Sequence, residues 1–303
     1  MEGPRRALRT ADGWDRLETV IVAPICERAK LVAETIQTVR LAIPGAIRSM
    51  SVLIPFADGG FAFLEGGFPY SQGVRALDGY AIERARFVRP PPVDQGFAAI
   101  EAHLASIGRP RTALCAAELR SPKPFSMGGF KEFNQGYVAV LKQWGSFRDE
   151  RNPVARSNVA PEIDPPREPS FYAFCYTVPA AGAGPSVVVA GSGEWPEGGK
   201  FPDDIVARDD VSPAGLQAKA RFVLGKMESR LAGLGATWRE VSATQVYTVH
   251  DIHAVLSEDI VPRAGNGGGL IWHYCRPPIE GLEYEMDVRG VAVERVLGLT
   301  ANP

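Results

Sequence analysis

Cysteine is scarce in this 303-residue chain: Cys26, Cys115, Cys175 and Cys275 stand far apart, and no two form a C-x-x-C pair. Such spacing argues against a zinc site or a disulfide framework and suits a reducing cytoplasm. An excess of one charge is also lacking. The formal net charge of −2 offers no electrostatic footing for nucleic acid or an anionic membrane. Long hydrophobic runs are missing too: nowhere do about eighteen apolar residues follow one another, as a membrane span requires. The apolar run after Arg5, Arg6 and Arg9 is broken by Glu27, Arg28 and Lys30, which is no secretory core. These absences predict a soluble, cytoplasmic protein with neither a membrane nor a nucleic-acid partner.

What is present is the composition of a globular protein, 45% hydrophobic and 22% charged, enough to bury a full core. Glycine (32) and proline (25) are abundant but scattered, which predicts many short elements joined by tight turns. Glu27 to Leu41 has helical spacing closed by Pro44-Gly45, within an accessory segment over residues 1–48. Two strand-like runs, Val52 to Phe56 and Phe61 to Leu64, then flank a hairpin signal at Asp58-Gly59-Gly60. Val93 to Gly108 repeats Phe97, Ile100, Leu104 and Ile107 at helical spacing. A strand over Thr112 to Leu119, a helix over Phe130 to Trp144 and an apolar strand over Phe171 to Val178 complete the first half.

The order then recurs. Ser186 to Ala190 reads as a strand, Pro213 to Gly235 as a helix with Leu216, Ala220, Val223, Met227 and Leu231 on one face. Val241 to Val249 follows as a strand and Asp251 to Ile260 as a short helix. Ala105-Ser-Ile-Gly108 and Ala232-Gly-Leu-Gly235 close the two long helices alike. A repeat of about 125 residues is too long for a solenoid and right for two copies of a small domain. Pro179-Ala-Ala-Gly-Ala-Gly-Pro185 links them, so domains are expected over residues 49–179 and 186–303. The expected class is α+β, each copy a mixed sheet with helices on one face, the other face covered by domain pairing or oligomerisation.

Leu270 to Val291 reads as two short strands joined by a tight turn at Pro277, Pro278 and Gly281. In the second, Glu283 and Glu285 alternate with Leu282, Tyr284 and Met286, placing both carboxylates on one sheet face. Paired acids on an edge strand suit a solvated face; with His273 and Cys275 nearby they also suit acid–base work. Cys275 alone reads as a small buried hydrophobe and His273 as a hydrogen-bonded core histidine.

The order of elements resembles the Rid (RidA/YjgF) family of imine deaminases, over about residues 51–295 as two copies. Two motifs carry the resemblance. Pro153-Val-Ala-Arg156-Ser157-Asn158-Val159 matches the family's carboxylate-binding Ala-Arg-Ser element, and Glu283-Tyr284-Glu285 its final Glu-x-Glu strand. Each copy lacks the other's residue: Gly267-Gly268-Gly269 stands where the second arginine belongs, and Tyr172 and Phe174 where the first glutamate belongs. The resemblance therefore implies a chorismate-mutase-like fold, a homo-oligomer, usually a trimer, and one composite site from Arg156 of one half and Glu285 of the other. Tandem Rid-like chains of this length include 2-aminomuconate-type deaminases of aromatic degradation and the chorismatases; the ending here looks closer to the former.

On this reading Arg156, with Ser157, binds a small-molecule carboxylate through the planar fork of its guanidinium. Glu285 is the general acid/base, with Cys275, His273 and Glu283 as further catalytic candidates. No metal or other cofactor is expected. His250-Asp-Ile-His253 has H-x-x-H spacing without a third ligand, and Gly191-Ser-Gly193 lacks a following phosphate-binding helix. The expected activity is hydrolytic deamination of an enamine or imine dicarboxylate. The alternatives are a chorismatase-like enzyme acting on an enol ether and a non-catalytic Rid-like carboxylate-binding protein.

Overall fold

The computed structural model describes residues 52–265 and 269–298. Cys26 and the helix expected over Glu27–Leu41 lie outside them, as do Gly267 and Gly268. In chain order the elements are β1 (Leu53–Phe56), β2 (Phe61–Leu64), β3 (Gly73–Ala76) and β4 (Tyr80–Phe87). Next come α1 (Val93–Ser106), β5 (Leu114–Arg120), α2 (Met127–Gln143), β6 (Ala155–Pro161) and β7 (Ser170–Pro179). After the linker follow β8 (Val187–Gly193), α3 (Pro213–Gly233), β9 (Ala243–Tyr247) and a helical stretch, His253–Val255, Leu256–Ile260 and Val261–Ala264. The last strands are β10 (Leu270–His273), β11 (Cys275–Arg276), β12 (Glu285–Gly290) and β13 (Val293–Leu297).

Among the described residues the strands form two mixed sheets, ordered β1-β2-β3-β8-β12-β9-β10 and β11-β6-β5-β7-β4-β13. Four strands in each are arranged alike. β8-β12-β9-β10 and β4-β7-β5-β6 are antiparallel except for a final parallel pair, β9 with β10 and β5 with β6. This agreement supports an internal duplication. The edges, however, are exchanged. The meander β1–β3 extends the seven-stranded sheet through β8, while β13 extends the six-stranded sheet through β4.

The helices end where the sequence has glycine in the left-handed region. Gly108 (φ +67°) and Gly235 (φ +66°) let Arg109 N–H reach the Leu104 carbonyl and Ala236 N–H that of Leu231, the same closing motif twice. Ser126 and Ser212 cap the starts of α2 and α3 by accepting from Gly129 and Gly215 N–H. Helices α1 and α2 pack on the outer face of the six-stranded sheet through Phe97, Ile100, Leu104, Tyr137 and Leu141. Helix α3 covers the outer face of the other through Val223, Met227 and Leu231. The inner faces meet each other, so the expected covering of the open face occurs within one chain.

That inner layer is apolar at one side, where Phe61, Val74, Ile82, Cys115, Ala155 and Val188 pack together. Elsewhere it is polar and buried. Arg84 forks onto Glu118, Nε to Oε1 at 2.5 Å and Nη2 to Oε2 at 2.8 Å. Asp287 accepts from Ser157 Oγ, Gln245 Nε2 and Tyr247 OH.

One expectation needs correction. β10 and β12 are not a hairpin, because β9 lies between them, parallel to one and antiparallel to the other. The prolines and glycine that suggested a turn instead form a connection whose Pro278 and Ile279 engage Phe125 from the first half.

Burial opposes ionisation of Glu118, but Arg84 overrides it and holds the carboxyl far below the usual carboxylate range. Arg84→Met leaves that carboxylate buried without its fork and is expected to cost about 3–5 kcal/mol. Urea unfolding at constant m-value measures the loss. Glu118's contribution is complete above the ordinary carboxylate pKa and vanishes as pH falls through the depressed folded value, so the cost of Arg84→Met should shrink in acid.

Candidate active site

A cavity of about 530 Å³ opens where β6 of one sheet meets β8 and β12 of the other, and Arg156 and Glu285 both line it. The two-residue period of β6 sorts its side chains. Ser157 faces the polar inner layer, while Arg156 turns to α2, where Nη2 donates to Asn134 Oδ1 at 2.6 Å. On β12 the same period sends Met286 and Val288 into the α3 core and leaves Glu285, Asp287 and Arg289 on the other face.

Arg156 is 2% exposed, and among the described residues no carboxylate is hydrogen-bonded to it. Its guanidinium sits 4.8 to 5.7 Å from the ring centres of Tyr137, Tyr70, Phe130 and Phe133. Those ring faces attract a cation, yet its Nε and Nη1 make no hydrogen bond. Burial pulls its pKa below the ordinary guanidinium value, with Tyr137, Tyr70 and Glu285 opposing. A buried arginine so unpaired is an anion site in waiting, because a carboxylate would supply both the missing acceptors and the missing charge.

The Glu285 carboxyl is buried and pushed well above the usual carboxylate range, first by burial and then by the negative charges of Asp287 and Glu194. Arg230 and Arg156 pull the other way. Gly191 makes room for it: a Cβ there would meet Glu285 Oε1 and lie 3.3 Å from Ser157 Cα. A side chain at 191 would therefore push the Glu285 carboxyl from its place.

The other candidates lie elsewhere. Ser157 donates to Asp287 and reaches the cavity only through its neighbours. His273 bonds Gln245 Oε1 at 3.0 Å, stacks on Tyr247 and has its pKa lowered to about 4 by burial. Cys275 packs with Val159 and Tyr247, its thiol pushed up by burial. Glu283 precedes β12, where its carboxylate meets His250 Nε2 at 2.7 Å, so it does not share the face of Glu285. His253 pairs with Asp251, and among the described residues no group of three or more His, Cys, Asp or Glu gathers as a metal site.

Tyr70, Trp195, Glu197 and Arg230 also stand on the wall. The buried Glu194–Lys219 pair (3.3 Å) anchors the loop that carries Trp195 and Glu197, Glu194 also accepting from Glu283 and Tyr284 N–H. Arg230 had a signal in the sequence. It follows Met227 by three positions and precedes Leu231, so it stands on the buried stripe of α3.

Residues 53–295 match a family described as 2-aminomuconate deaminase CnbZ. The 2-amino-5-chloromuconate deaminase of Comamonas testosteroni is 48% identical over 248 residues, which is 80% of this chain and 98% of that protein. Among solved structures, a chorismatase is 12% identical with a TM-score of 0.45, covering 83% of this chain and 96% of its own. The YjgF gene product of E. coli is 15% identical with a TM-score of 0.26, covering 35% and 80%. No helix among the described residues is long and apolar enough to cross a membrane.

The raised Glu285 pKa has a consequence for stability. Between the ordinary carboxylate pKa and the raised folded value the native state holds a proton that the unfolded chain has lost, so stability falls as pH rises. Glu285→Gln removes that titration. The variant should gain on the wild type from pH 5 to pH 8, by about 1.4 kcal/mol per unit of raised pKa, as read by urea unfolding at the two pH values.

Proposed function

The chain belongs to the 2-aminomuconate deaminase family, and from that premise we propose cofactor-independent hydrolysis of a 2-aminomuconate-type enamine dicarboxylate, releasing ammonia, in the breakdown of aromatic compounds. One observation carries the assignment of roles: a buried arginine with no carboxylate partner and a buried carboxyl with a raised pKa line the same cavity within one chain.

In a 2-aminomuconate the nitrogen lone pair is delocalised into the diene, so C2 resists attack by water. Arg156 fixes a substrate carboxylate through its planar fork, holding the diene in one orientation. Glu285, whose burial favours the protonated form, gives its proton to a remote carbon of the diene, and the enamine becomes a 2-iminium cation. The resulting carboxylate then takes a proton from water as the oxygen adds to C2, and the C=N electron pair returns to nitrogen as a neutral amine. The carbinolamine passes its hydroxyl proton to that nitrogen and expels ammonia as the C2–O bond becomes a carbonyl, so the proton count closes with Glu285 already restored. Asp287 and Glu194 favour the protonated start of this cycle; Arg156 and Arg230 stabilise the carboxylate in its middle.

The same reading includes a cytoplasmic, homo-oligomeric protein, with three copies the expected number. Exposed Ile271, Trp272 and Tyr274, at and beside the edge strand β10, support contact between copies.

Glu285→Gln keeps the shape and loses the proton, so kcat on a 2-aminomuconate should fall by about 10²- to 10⁴-fold. Arg156→Lys keeps the charge and loses the fork, so KM should rise more than kcat falls. Ammonia release measured beside circular dichroism checks both. Near wild-type rates in both variants, with folding intact, would sink the assignment.

A further inference from the structure

The cavity holds a second guanidinium that the proposed chemistry uses only as background charge. Arg230 of α3 is 4% exposed and lines the cavity together with Arg156 and Glu285. Its orientation is fixed from behind, where Nη1 donates to the Ala190 carbonyl at 2.8 Å. Its Nε makes no hydrogen bond. Its Nη2 donates to Glu197 Oε1 at 2.5 Å, and here the two partners differ sharply: the arginine side chain is 5% exposed and the glutamate 48%. The buried fork of Arg84 on Glu118, by contrast, joins two side chains that are both below 10% exposed. Glu197 instead stands in the turn Pro196 to Gly199, closed by Gly199 N–H on the Pro196 carbonyl. An acid held there can leave without opening the core.

Two more donors on the cavity wall are buried and unpaired, Asn158 Nδ2 and Trp195 Nε1. The orientation of the Asn158 amide is fixed, because its Oδ1 accepts from Ser121 Oγ at 2.9 Å. The wall therefore offers two guanidinium groups and several unmatched N–H donors, while Glu285 on the same wall favours its neutral form and Glu65 is paired with Arg151. A dianion matches both guanidinium groups; a monoanion leaves Arg230 to Glu197.

We propose that Arg230 is the second carboxylate-binding residue of the cavity, taking the carboxylate at the opposite end of the substrate from Arg156, and that Glu197 holds this place until substrate displaces it. The substrate class rests on the reading given under Proposed function; the pairing of two arginines with two carboxylates is a claim about binding alone. It makes Arg230 a specificity residue, selecting dicarboxylates over monocarboxylates of equal length.

The test uses the full chain and two six-carbon dienes of the same geometry, trans,trans-muconate with two carboxylates and sorbate with one, titrated by calorimetry. The wild type should bind muconate at least about tenfold more tightly than sorbate, the size of one charge-assisted hydrogen bond. Arg230→Gln should erase the difference by weakening muconate while sorbate holds its affinity. Glu197→Gln changes only a half-exposed side chain and should tighten muconate several-fold without affecting sorbate. A wild type that takes muconate no better than sorbate, or takes neither, overturns the proposal. So does a Glu197→Gln variant unchanged toward muconate, or an Arg230→Gln variant that weakens both ligands alike. Ammonia release from 2-aminomuconate by the wild type is scored separately: its absence defeats the deaminase reading, while the comparison of the two dienes still decides the role of Arg230.

Discussion

The hydrogen bond from Ser157 to Asp287 joins the two sheets at the point where everything else at the cavity is referenced. Ser157 follows Arg156 on β6, and Asp287 stands two residues beyond Glu285 on β12, so fixing one pair fixes the other. Asp287 is also tied to β9 by Gln245 and Tyr247, which leaves it no freedom to slide. Its charge then acts on Glu285, second only to burial in pushing that carboxyl up. Register and acid strength thus come from the same buried group. Ser157, a substrate-binding candidate by sequence, serves the site as a spacer between sheets.

Much of the architecture was legible because the outward halves of both sheets obey ordinary patterning. The stripes of α1, α2 and α3, the paired glycine endings and the proline-rich linker all follow from side-chain periodicity and backbone freedom. The inner layer does not. Tyr80 to Phe87 carries Glu83, Arg84 and Arg86, which look solvated in sequence, yet it is a central strand whose Arg84 is 4% exposed. Charged residues can be interior here because each sheet supplies the counter-charge for its own or the facing one, and such pairing is invisible one strand at a time. The motif halves at Arg156 and Glu285 pointed to two residues that line one cavity. Glu197 and Trp195 were not legible, since a loop brings them in from outside those motifs, and Arg230 showed only as a charge on the buried stripe of α3.

The duplicated strand order with divided residues also leaves the equivalent strands without the pair that Arg156 and Glu285 make. β10 takes in its sheet the place that β6 takes in the other, but Leu270–His273 contains no arginine. β7, which takes the place of β12, offers Tyr172, and its ring stacks 4.0 Å from the Arg120 guanidinium. Tyr172 thus supports the inner layer through an internal cation–π contact with Arg120.

The pairing of β13 with β4 bears on how the chain comes to fold at all. Arg295 and Glu83, 212 positions apart, are bonded across two adjacent parallel strands. During synthesis the outer edge of the six-stranded sheet stays bare until residues beyond 290 have left the ribosome, however early β4 to β7 have formed. A bare strand edge is a template for any extended segment nearby. β4 therefore has an unpaired edge from its own synthesis until β13 is made, and the half-buried Glu83 and Arg86 on that strand are charges of the kind that blunt such an edge.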